Sequence, residues 1–391
     1  MAQNIRNRRS NKCLQAALFA GVAAAPLLTV PAFAQEGDAA DGLDTITVTA
    51  QRREENQQEV PISVSTLPED RWRTFQTAGE DIRALAARIP GVYAESSNGR
   101  AAPRFYIRGL GNVDFDLAAS QPVSIIVDEV VLENVLLKST PIFDIEQVEV
   151  LRGPQGTLFG RNTPAGIIKF DTKKPTEEFD LYAQFAYGTL DTITGQFGVG
   201  GPIIEDLLSV RISGLAQTRG AYIDNAAPGF EQEDAFGDFE EFAGRAQVLV
   251  TPTDRLSVLL KGNIRTLEGT SALFRANIIE PGVGGLIENF DRETVFFDGG
   301  AGNRQEVDTW GVSGKIDIDF GAATLTSVTA FNSGTSNSRG DIDGGFVGPN
   351  SFFDTASPPA PPFGPDTIPF PSDTQDSIDD LDQFTQEVRI A

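Results

Sequence analysis

The chain has 391 residues, a formal net charge of −24 and 40% hydrophobic residues, with no histidine and a single cysteine, Cys13. An acidic chain is a poor partner for nucleic-acid phosphates, so nucleic-acid binding is excluded. Zinc sites built on histidine or cysteine and Ser-His or Cys-His catalysis are excluded as well.

Residues 1–34 predict a secretory signal peptide. Basic residues without any acidic one precede an apolar run over 14–30, and small residues stand at Ala32 and Ala34. We expect cleavage after Ala34, which would also remove the cysteine. The alternative is an uncleaved anchor, but the apolar run is short and is interrupted by Gly21 and Pro26.

Residues 35–59 predict a short extended segment that precedes the first folded domain. In Asp44–Ala50 (DTITVTA), threonine alternates with apolar residues, which favours a strand. Such a segment is too short to be stable alone. It suits strand addition to the sheet edge of a partner, where main-chain hydrogen bonds supply affinity. The alternative is an ordinary edge strand of the following domain.

Residues 60–175 predict one α+β domain of ordinary size. Strand-like runs lie at 61–68, 105–111, 123–130 and 145–170. Glu80–Arg88 (EDIRALAAR) predicts a helix, with Ile82 and Leu85 on one face and with Pro90 ending it.

The glycines at 153, 156 and 160 raise the alternative of a phosphate-binding loop. The stretch lacks the GK[ST] ending of such a loop, and no helical pattern follows it. Gly-Pro at 153–154 and Thr-Pro-Ala-Gly at 163–166 indicate tight turns between short strands instead.

Three sequence blocks, in this order, resemble the TonB-dependent receptor family. DTITVTA is similar to the TonB box, comprising Asp44, Thr45, Ile46, Thr47, Val48, Thr49 and Ala50. FYIRGLG with VDEV, and then VEVLRGPQGTLFGRNTPAGII at 148–168, are similar to the plug signature. The resemblance implies a plug domain inside a barrel of about 22 strands in the outer membrane. It also implies a periplasmic TonB box and uptake of a scarce nutrient by force transmitted from the inner membrane. A transporter of this kind is not an enzyme, so the resemblance leads us to expect no catalytic residue, no metal site and no permanently bound cofactor.

Residues 176–391 predict the N-terminal part of a transmembrane antiparallel β-barrel. After residue 34 no window of eighteen apolar residues exists, so a membrane-spanning part would have to be a barrel. Alternating runs lie at 179–188, 192–201, 206–218, 240–251, 254–266, 308–320, 322–333 and 381–391. The clearest alternation places Trp310 and Val312 on a lipid face and Ser313 and Lys315 on an aqueous face.

The links between these runs give independent support for a barrel. Short links at 201–206, 251–254 and 321 alternate with long ones at 219–239, 267–307 and 334–380. Short periplasmic turns and long outer loops are typical of such barrels. A soluble β-sandwich is the alternative, but three long links without secondary structure would be unusual in a compact domain.

Eight strands cannot enclose a plug, because a barrel of that size holds only its own side chains or one small ligand. An open strand edge in a membrane is also strongly disfavoured. We therefore expect the barrel to be truncated in this chain, with about 14 strands missing from the family's size.

Two arginines, Arg108 in IRG and Arg152 in LRG, lie inside apolar strands, where a guanidinium needs a carboxylate partner. The resemblance implies that these plug arginines meet glutamates on the barrel wall. Glu387 lies on the inward face of its strand, so we expect Glu387 to be a partner. The alternative is that both arginines cap surface turns.

The sequence does not assign substrate-binding residues. The acidic cluster at 231–240 indicates a solvated loop. DIDGG at 341–345 resembles part of a calcium loop but lacks the remaining ligand spacing. The absence of histidine argues against haem capture through an imidazole.

The resemblance favours a ferric siderophore as the transported ligand, with carbohydrate, cobalamin or an aromatic compound as alternatives. A signal-transducing receptor would need a further periplasmic domain, for which the nine residues 35–43 leave no room. The expected partners are TonB with its inner-membrane energising complex, outer-membrane lipid and a small-molecule ligand. We expect a monomer.

Overall fold

The structure is a computed structural model. It describes residues 46–49, 51–53, 55–76, 78–227, 229–275, 278–280, 282–288, 290–297, 302–342, 344 and 373–391. The predicted features outside these residues are the signal peptide, the segment 35–43, three residues of the predicted TonB box (Asp44, Thr45 and Ala50), and Asp343 and Gly345 of DIDGG.

Two short strands precede the α+β domain, which we call the plug. They are β1 (Thr47–Val48) and β2 (Glu55–Asn56), and they pair antiparallel. The plug then contains, in chain order, β3 (Ser63–Pro68), α1 (Glu69–Gln76), a 3-10 helix (Ile82–Ala87), β4 (Val92–Glu95), β5 (Arg104–Ile107), β6 (Val123–Val127), β7 (Val130–Leu132), α2 (Val135–Lys138), β8 (Ile145–Arg152), α3 (Gly156–Phe159) and β9 (Gly166–Thr172).

A five-stranded mixed sheet in the order β3-β8-β9-β6-β7 forms the centre of the plug. Only β6 and β9 pair in parallel, and the other neighbours pair antiparallel. The sequences VSIIV and GIIKF are almost entirely buried, as expected for strands covered on both faces. Large apolar side chains fill the core around them, including Leu85, Phe105, Ile125, Ile168 and Phe170.

The helix predicted over Glu80–Arg88 is a 3-10 helix rather than an α-helix. Its Asp81 side chain accepts a hydrogen bond from Arg83 N and so begins the helix, while Ile82 and Leu85 are buried as predicted. The tighter turn suits this run, because 3-10 helices occur in short pieces and Pro90 follows closely.

Eight antiparallel strands form the second layer, which we call the barrel wall. In sheet order and in chain order they are β10 (Asp180–Tyr187), β11 (Ile193–Ile204), β12 (Leu208–Arg219), β15 (Phe239–Thr253), β16 (Leu256–Gly269), β18 (Gln305–Asp319), β19 (Thr324–Asp341) and β20 (Asp373–Ile390). Each predicted alternating run therefore corresponds to one strand. Among the described residues, β10 and β20 do not pair with each other, so the sheet is an incomplete barrel.

The two faces of the barrel wall differ in polarity, as the alternation predicts. Trp310 and Val312 are about half exposed on the outer face, whereas Arg265 and Gln247 are buried on the inner face against the plug. Residues Ile46–Ala391 cluster as one unit, so plug and barrel wall pack together. Within the described residues, no helix is long and apolar enough to span a membrane.

Two of the long links contain structure that the sequence did not predict. Strands β13 (Ile223–Asn225), β14 (Gln232–Phe236) and β17 (Thr294–Val295) form a small mixed sheet from links 220–238 and 270–304. Ile223, Phe236, Val295 and Phe297 form an apolar cluster beneath it. The acidic residues predicted as a solvated loop lie partly in β14, where Glu233 and Asp234 are exposed.

A substitution at Gly166, the first residue of β9, would test how closely the strands of the plug sheet pack. It has a φ of 146°, and a Cβ there would lie 2.2 Å from Leu151 O in the neighbouring strand. Main-chain atoms cannot rotate away, so we expect Gly166→Ala to lower the free energy of unfolding by more than about 2 kcal/mol, measured by urea denaturation.

The matched control is Gly156→Ala in the same motif. A Cβ at Gly156 meets only Thr163 Oγ1, at 3.7 Å, and the backbone is not in the left-handed region. We expect a change within about 0.5 kcal/mol. Equal losses in the two variants would contradict the packing argument.

Candidate functional site

Ile46–Thr49 is the described part of the predicted TonB box and lies against the plug; we call it the docked segment. Val48 is fully buried. It packs in an apolar cluster with Val60, Ile126, Leu151, Phe159 and Ile167. Ile46, two residues earlier, is 45% exposed. The docked segment is therefore extended, and Val48 is its one fully buried side chain.

Thr49 is held by a pair of buried, oppositely charged plug residues. Glu149 Oε1 accepts hydrogen bonds from Thr49 N at 2.9 Å and from Thr49 Oγ1 at 3.0 Å. Lys169 Nζ donates to Thr49 Oγ1 at 2.6 Å and lies 3.9 Å from Glu149 Oε1. Both charged residues come from neighbouring central strands, β8 and β9, so the plug sheet itself positions them.

Arg52 follows the docked segment and links it to the barrel wall. Its Nη2 donates to Glu387 Oε2 of β20 at 2.8 Å, and its Nη1 lies 3.6 Å from Glu129 Oε2. The guanidinium also lies 4.3 Å from the ring centroid of Phe159. Burial lowers the pKa of Arg52, and the charges of Glu387 and Glu129 oppose that effect.

Carboxylates of the plug bind cations of the barrel wall. Asp144, whose side chain has no exposed surface, accepts two hydrogen bonds from Arg211, at 2.8 and 2.6 Å. Arg245 Nη2 donates to the main-chain oxygens of Phe143 and Asp144 at 2.9 and 3.0 Å. The two hydrogen bonds between Arg211 and Asp144 form a bidentate contact, which is the strong form of an arginine–carboxylate pair.

The two-residue turn between β6 and β7 presents two further carboxylates. Asp128 and Glu129 both have positive φ, as hairpin loops of this length require. Asp128 pairs with Lys261 at 2.8 Å. Glu129 pairs with Lys315 at 2.6 Å and also with Arg389. The turn thus points its charge at three different wall strands.

Arg100 makes a contact of the opposite polarity, as Arg52 does with Glu387. Arg100, in the link between β4 and β5, donates to Glu241 of β15 at 2.9 Å, and Arg265 of β16 donates to the other oxygen at 2.8 Å. Gln305 Oε1 of β18 accepts from Arg100 N at 2.8 Å. These residues lie at the wall ends that join the long links.

A cavity of about 70 Å³ lies between the plug and the barrel wall. Its lining includes Leu137 and Phe143 from the plug and Arg245 and Asn332 from the wall. A usual small-molecule site measures roughly 300 Å³ or more, so this cavity is too small for a nutrient. Within the described residues, no cluster of acidic residues has the geometry of a metal site.

In the structure, Arg108 and Arg152 have other partners than the predicted Glu387. Arg152 donates to Ser65 Oγ and Pro90 O, both at 2.9 Å, and Arg108 donates to Ser63 Oγ at 3.2 Å. Side chains alternate along β8, so Arg152 faces away from the side of the sheet that holds the docked segment. Glu387 binds Arg52 and so lies on the side of the docked segment.

Sequence reasoning missed most of the ion pairs between plug and wall. It expected plug arginines and wall glutamates, whereas the dominant arrangement is plug carboxylates with wall cations. One signal was available in the sequence. Alternate residues of a strand face the same side, and this alternation places Arg211, Arg245 and Lys261 at inward positions. The acidic turn in VDEV was a second signal.

The plug region matches a known protein family. Residues 56–167 match the model described as TonB-dependent Receptor Plug Domain. The pesticin receptor of Yersinia pestis is 28% identical over 235 residues, which cover 58% of this chain and 33% of that protein. The vitamin B12 transporter BtuB of Vibrio vulnificus is 25% identical over 219 residues, covering 52% and 34%. The chain thus spans about a third of the length of these curated relatives.

Solved structures share the fold. The ferric-catecholate import receptor Fiu of E. coli K12 in its open form gives a TM-score of 0.63 at 17% identity, covering 88% of this chain and 49% of that one. The ferric yersiniabactin uptake receptor FyuA of Yersinia pestis gives 0.54 at 19% identity, covering 71% and 45%. A plug packed on an antiparallel, incomplete barrel is the fold that this chain shares with these plugged β-barrel structures. Within that fold, residues 56–167 match the plug domain of TonB-dependent receptors, and the chain is similar to members of that family.

The pairing of Asp144 with Arg211 can be measured by a double-mutant cycle. Removing one partner of a buried ion pair leaves the other charge uncompensated, so each single change, Asp144→Asn or Arg211→Gln, should cost about 3 kcal/mol or more. We expect a coupling energy of at least about 2 kcal/mol in urea unfolding. The exposed pair Arg304–Asp238, at 2.6 Å, is the control and should give under about 1 kcal/mol. Additive effects at Asp144 and Arg211 would contradict the contact.

The lowered pKa of Glu129 should make the stability of the protein depend on pH. Burial raises the pKa of Glu129, but the charges and hydrogen bonds of Lys315 and Arg389 outweigh burial and lower it from 4.5 to about 2. A carboxylate with a lowered pKa contributes stability that is present above pH 4.5 and is lost as the pH falls toward 2. The stability difference between the unchanged protein and Glu129→Gln should therefore shrink by about 3 kcal/mol over this range. A difference independent of pH would contradict the assignment.

Proposed function

We propose that the protein is a TonB-dependent transporter of the outer membrane that takes up a scarce small molecule, a ferric siderophore. The observation that carries the proposal is the docked segment, an extended stretch with one fully buried side chain, beside a plug that is ion-paired to a barrel wall. In this proposal, residues 44–50 reach the periplasm and bind TonB. The inner-membrane energising complex acts through TonB.

The chemistry of the site fits coupling by strand addition. An extended segment can add to the edge of a partner's sheet, where its main chain supplies affinity whatever its side chains. The docked segment is short, and only Val48 is fully buried, so its removal exposes little apolar surface. Tension on the segment would reach Arg52 and, through Glu129, the contact between plug and wall.

The names of relatives support the siderophore as substrate class. A ferric yersiniabactin uptake receptor and a ferric-catecholate import receptor share the fold, and a catecholate siderophore receptor of Escherichia coli is 27% identical over 230 residues. A cobalamin is the second candidate, because vitamin B12 transporters of Vibrio vulnificus match at 25 to 26% identity. The cavity between plug and wall is too small for either ligand, so we place ligand binding elsewhere.

The coupling role is tested by Thr47→Pro. Proline removes the main-chain donor that a ladder needs. Thr47 is exposed, so the substitution should leave the packing of the plug intact. We expect loss of energised uptake with unchanged ligand binding, measured with radiolabelled ferric siderophore in whole cells. Thr47→Ala keeps the donor and should retain uptake, while uptake at the normal rate in Thr47→Pro would refute the coupling role.

The substrate class is tested by iron. Expression should rise in iron-starved cells, and growth on a ferric siderophore as sole iron source should require the gene. Induction by cobalamin shortage or by a sugar, without response to iron, would overturn the siderophore assignment and leave TonB coupling untouched.

A further inference from the structure

The docked segment has two main-chain edges, and the structure shows what each one faces. One edge pairs with β2, in the register Thr47 with Asn56 and Val48 with Glu55, and Gln57 N donates to Ile46 O at 2.9 Å. In an antiparallel pair, hydrogen-bonded and non-bonded residues alternate. The main-chain groups of Ile46 and Val48 therefore point toward β2, and those of Thr47 and Thr49 point the other way.

The second edge is occupied by two side chains of β8. Gln147 Nε2 donates to Thr47 O at 3.1 Å, and Glu149 Oε1 accepts from Thr49 N at 2.9 Å. Gln147 Nε2 also donates to Glu149 Oε1 at 3.0 Å, which joins the two groups. In a parallel ladder, one residue of the neighbouring strand donates to the C=O of residue i and accepts from the N–H of residue i+2. Gln147 and Glu149 together make these same two contacts.

We propose that Gln147 and Glu149 act as a side-chain substitute for a partner strand and keep the docked segment closed to strand addition until they release it. This inference rests on the proposed function, because it assigns the control of the segment that would bind TonB. A partner strand can use the edge of Thr47 and Thr49 only after both contacts break. Glu149 is thus a positioning residue that sets how often the edge is free.

The charge of Glu149 makes this closure stronger than a neutral contact would be. Hydrogen bonds to an ionised acceptor are roughly twice as strong as neutral ones. Glu149 is fully buried, and its Oε2 has no hydrogen-bond partner among the described residues. All the hydrogen bonds of the carboxylate therefore go through Oε1, to Thr49 and Gln147. Lys169 Nζ lies 3.9 Å from Glu149 Oε1 and donates a hydrogen bond to Thr49 Oγ1 as well.

Val48 supplies a reporter for release. It is fully buried in the closed arrangement, and the only natural cysteine of the chain is Cys13, within the predicted signal peptide. Val48→Cys in the full chain should therefore react with a polar maleimide only when the docked segment leaves the plug. The unsubstituted chain gives the background rate.

The test compares three chains that carry Val48→Cys: the parent, Glu149→Gln and Glu146→Gln. Glu146 is exposed on the same strand and gives the matched charge change. We expect Glu149→Gln to raise the labelling rate about fivefold or more, because a charged acceptor becomes neutral. Glu146→Gln should remain within about twofold of the parent. Equal rates for Glu149→Gln and Glu146→Gln would overturn the proposal.

A second variant covers the case in which Glu149→Gln fails to fold, as judged by loss of a cooperative unfolding transition. Gln147→Met removes the donor to Thr47 O and to Glu149 Oε1 but keeps the carboxylate of Glu149, and Gln147 is half-buried at the edge of the site. We expect a rise of about threefold in labelling. No rise in a folded Gln147→Met chain would also overturn the proposal.

Binding of the TonB C-terminal domain separates this inference from the proposed function. Labelling involves no TonB, so faster labelling in Glu149→Gln supports the control by Glu149 whether or not TonB binds. Absence of TonB binding would refute the coupling function alone. If TonB binds the parent chain and Glu149→Gln changes neither labelling nor affinity, the coupling function stands and the control by Glu149 is refuted.

Discussion

The contact of Asp144 with Arg211 and Arg245 shows the constraint on which the rest of the structure depends: every charge enclosed between plug and wall needs a partner. Side chains of the wall strands point alternately to the two faces of the wall, so apolar side chains lie on the outer face and polar ones on the inner face. Isolated buried charges are very costly, and pairing with hydrogen bonds makes them tolerable. A domain that packs against this inner face must therefore supply a partner of opposite charge for each charged side chain that it buries there.

This constraint divides the plug into an apolar interior and a polar periphery. Inside, Phe105, Ile125 and Phe170 are packed in an ordinary hydrophobic core. At the periphery, Asp128, Glu129 and Asp144 bind wall cations. Buried ion pairs add little net stability relative to apolar packing, but they fix register, because a displaced plug would leave several charges unpaired. The plug can thus hold one position in the wall while its own fold rests on separate interactions.

The sequence predicted the parts of the fold that repeat a simple period. All eight wall strands follow from alternation, and Ile82 and Leu85 were placed correctly on the buried face of their helix. It did not predict the small sheet of β13, β14 and β17, because its strands are two to five residues long and pair across distant links. Local pattern carries no information on such pairings. The same limit made the interpretation of 219–239 as an unstructured link incomplete.

The site was less predictable, because ion pairs depend on which face of a strand meets which neighbour. Arg152 and Glu149 are three residues apart in β8, so they face opposite sides of the plug sheet. A sequence argument that Arg152 needs a carboxylate could not tell that Glu387 lies on the side of Glu149. It also could not show that residues 46–49 fold back onto the plug, since docking requires the apolar cluster around Val48.

Arg52 connects the docked segment to the ion pairs between plug and wall by a single side chain. It contributes positive charge to Glu387 and to Glu129, and Glu129 in turn binds Lys315 and Arg389. If Arg52 leaves, Glu129 keeps two cations and Glu387 keeps only Arg389. Arg389 already binds both carboxylates, so loss of Arg52 would weaken the ion pairing of the Asp128–Glu129 turn with the wall without abolishing it. The first movement of the segment and the hold of the wall on the plug are therefore coupled through electrostatics rather than through the main chain.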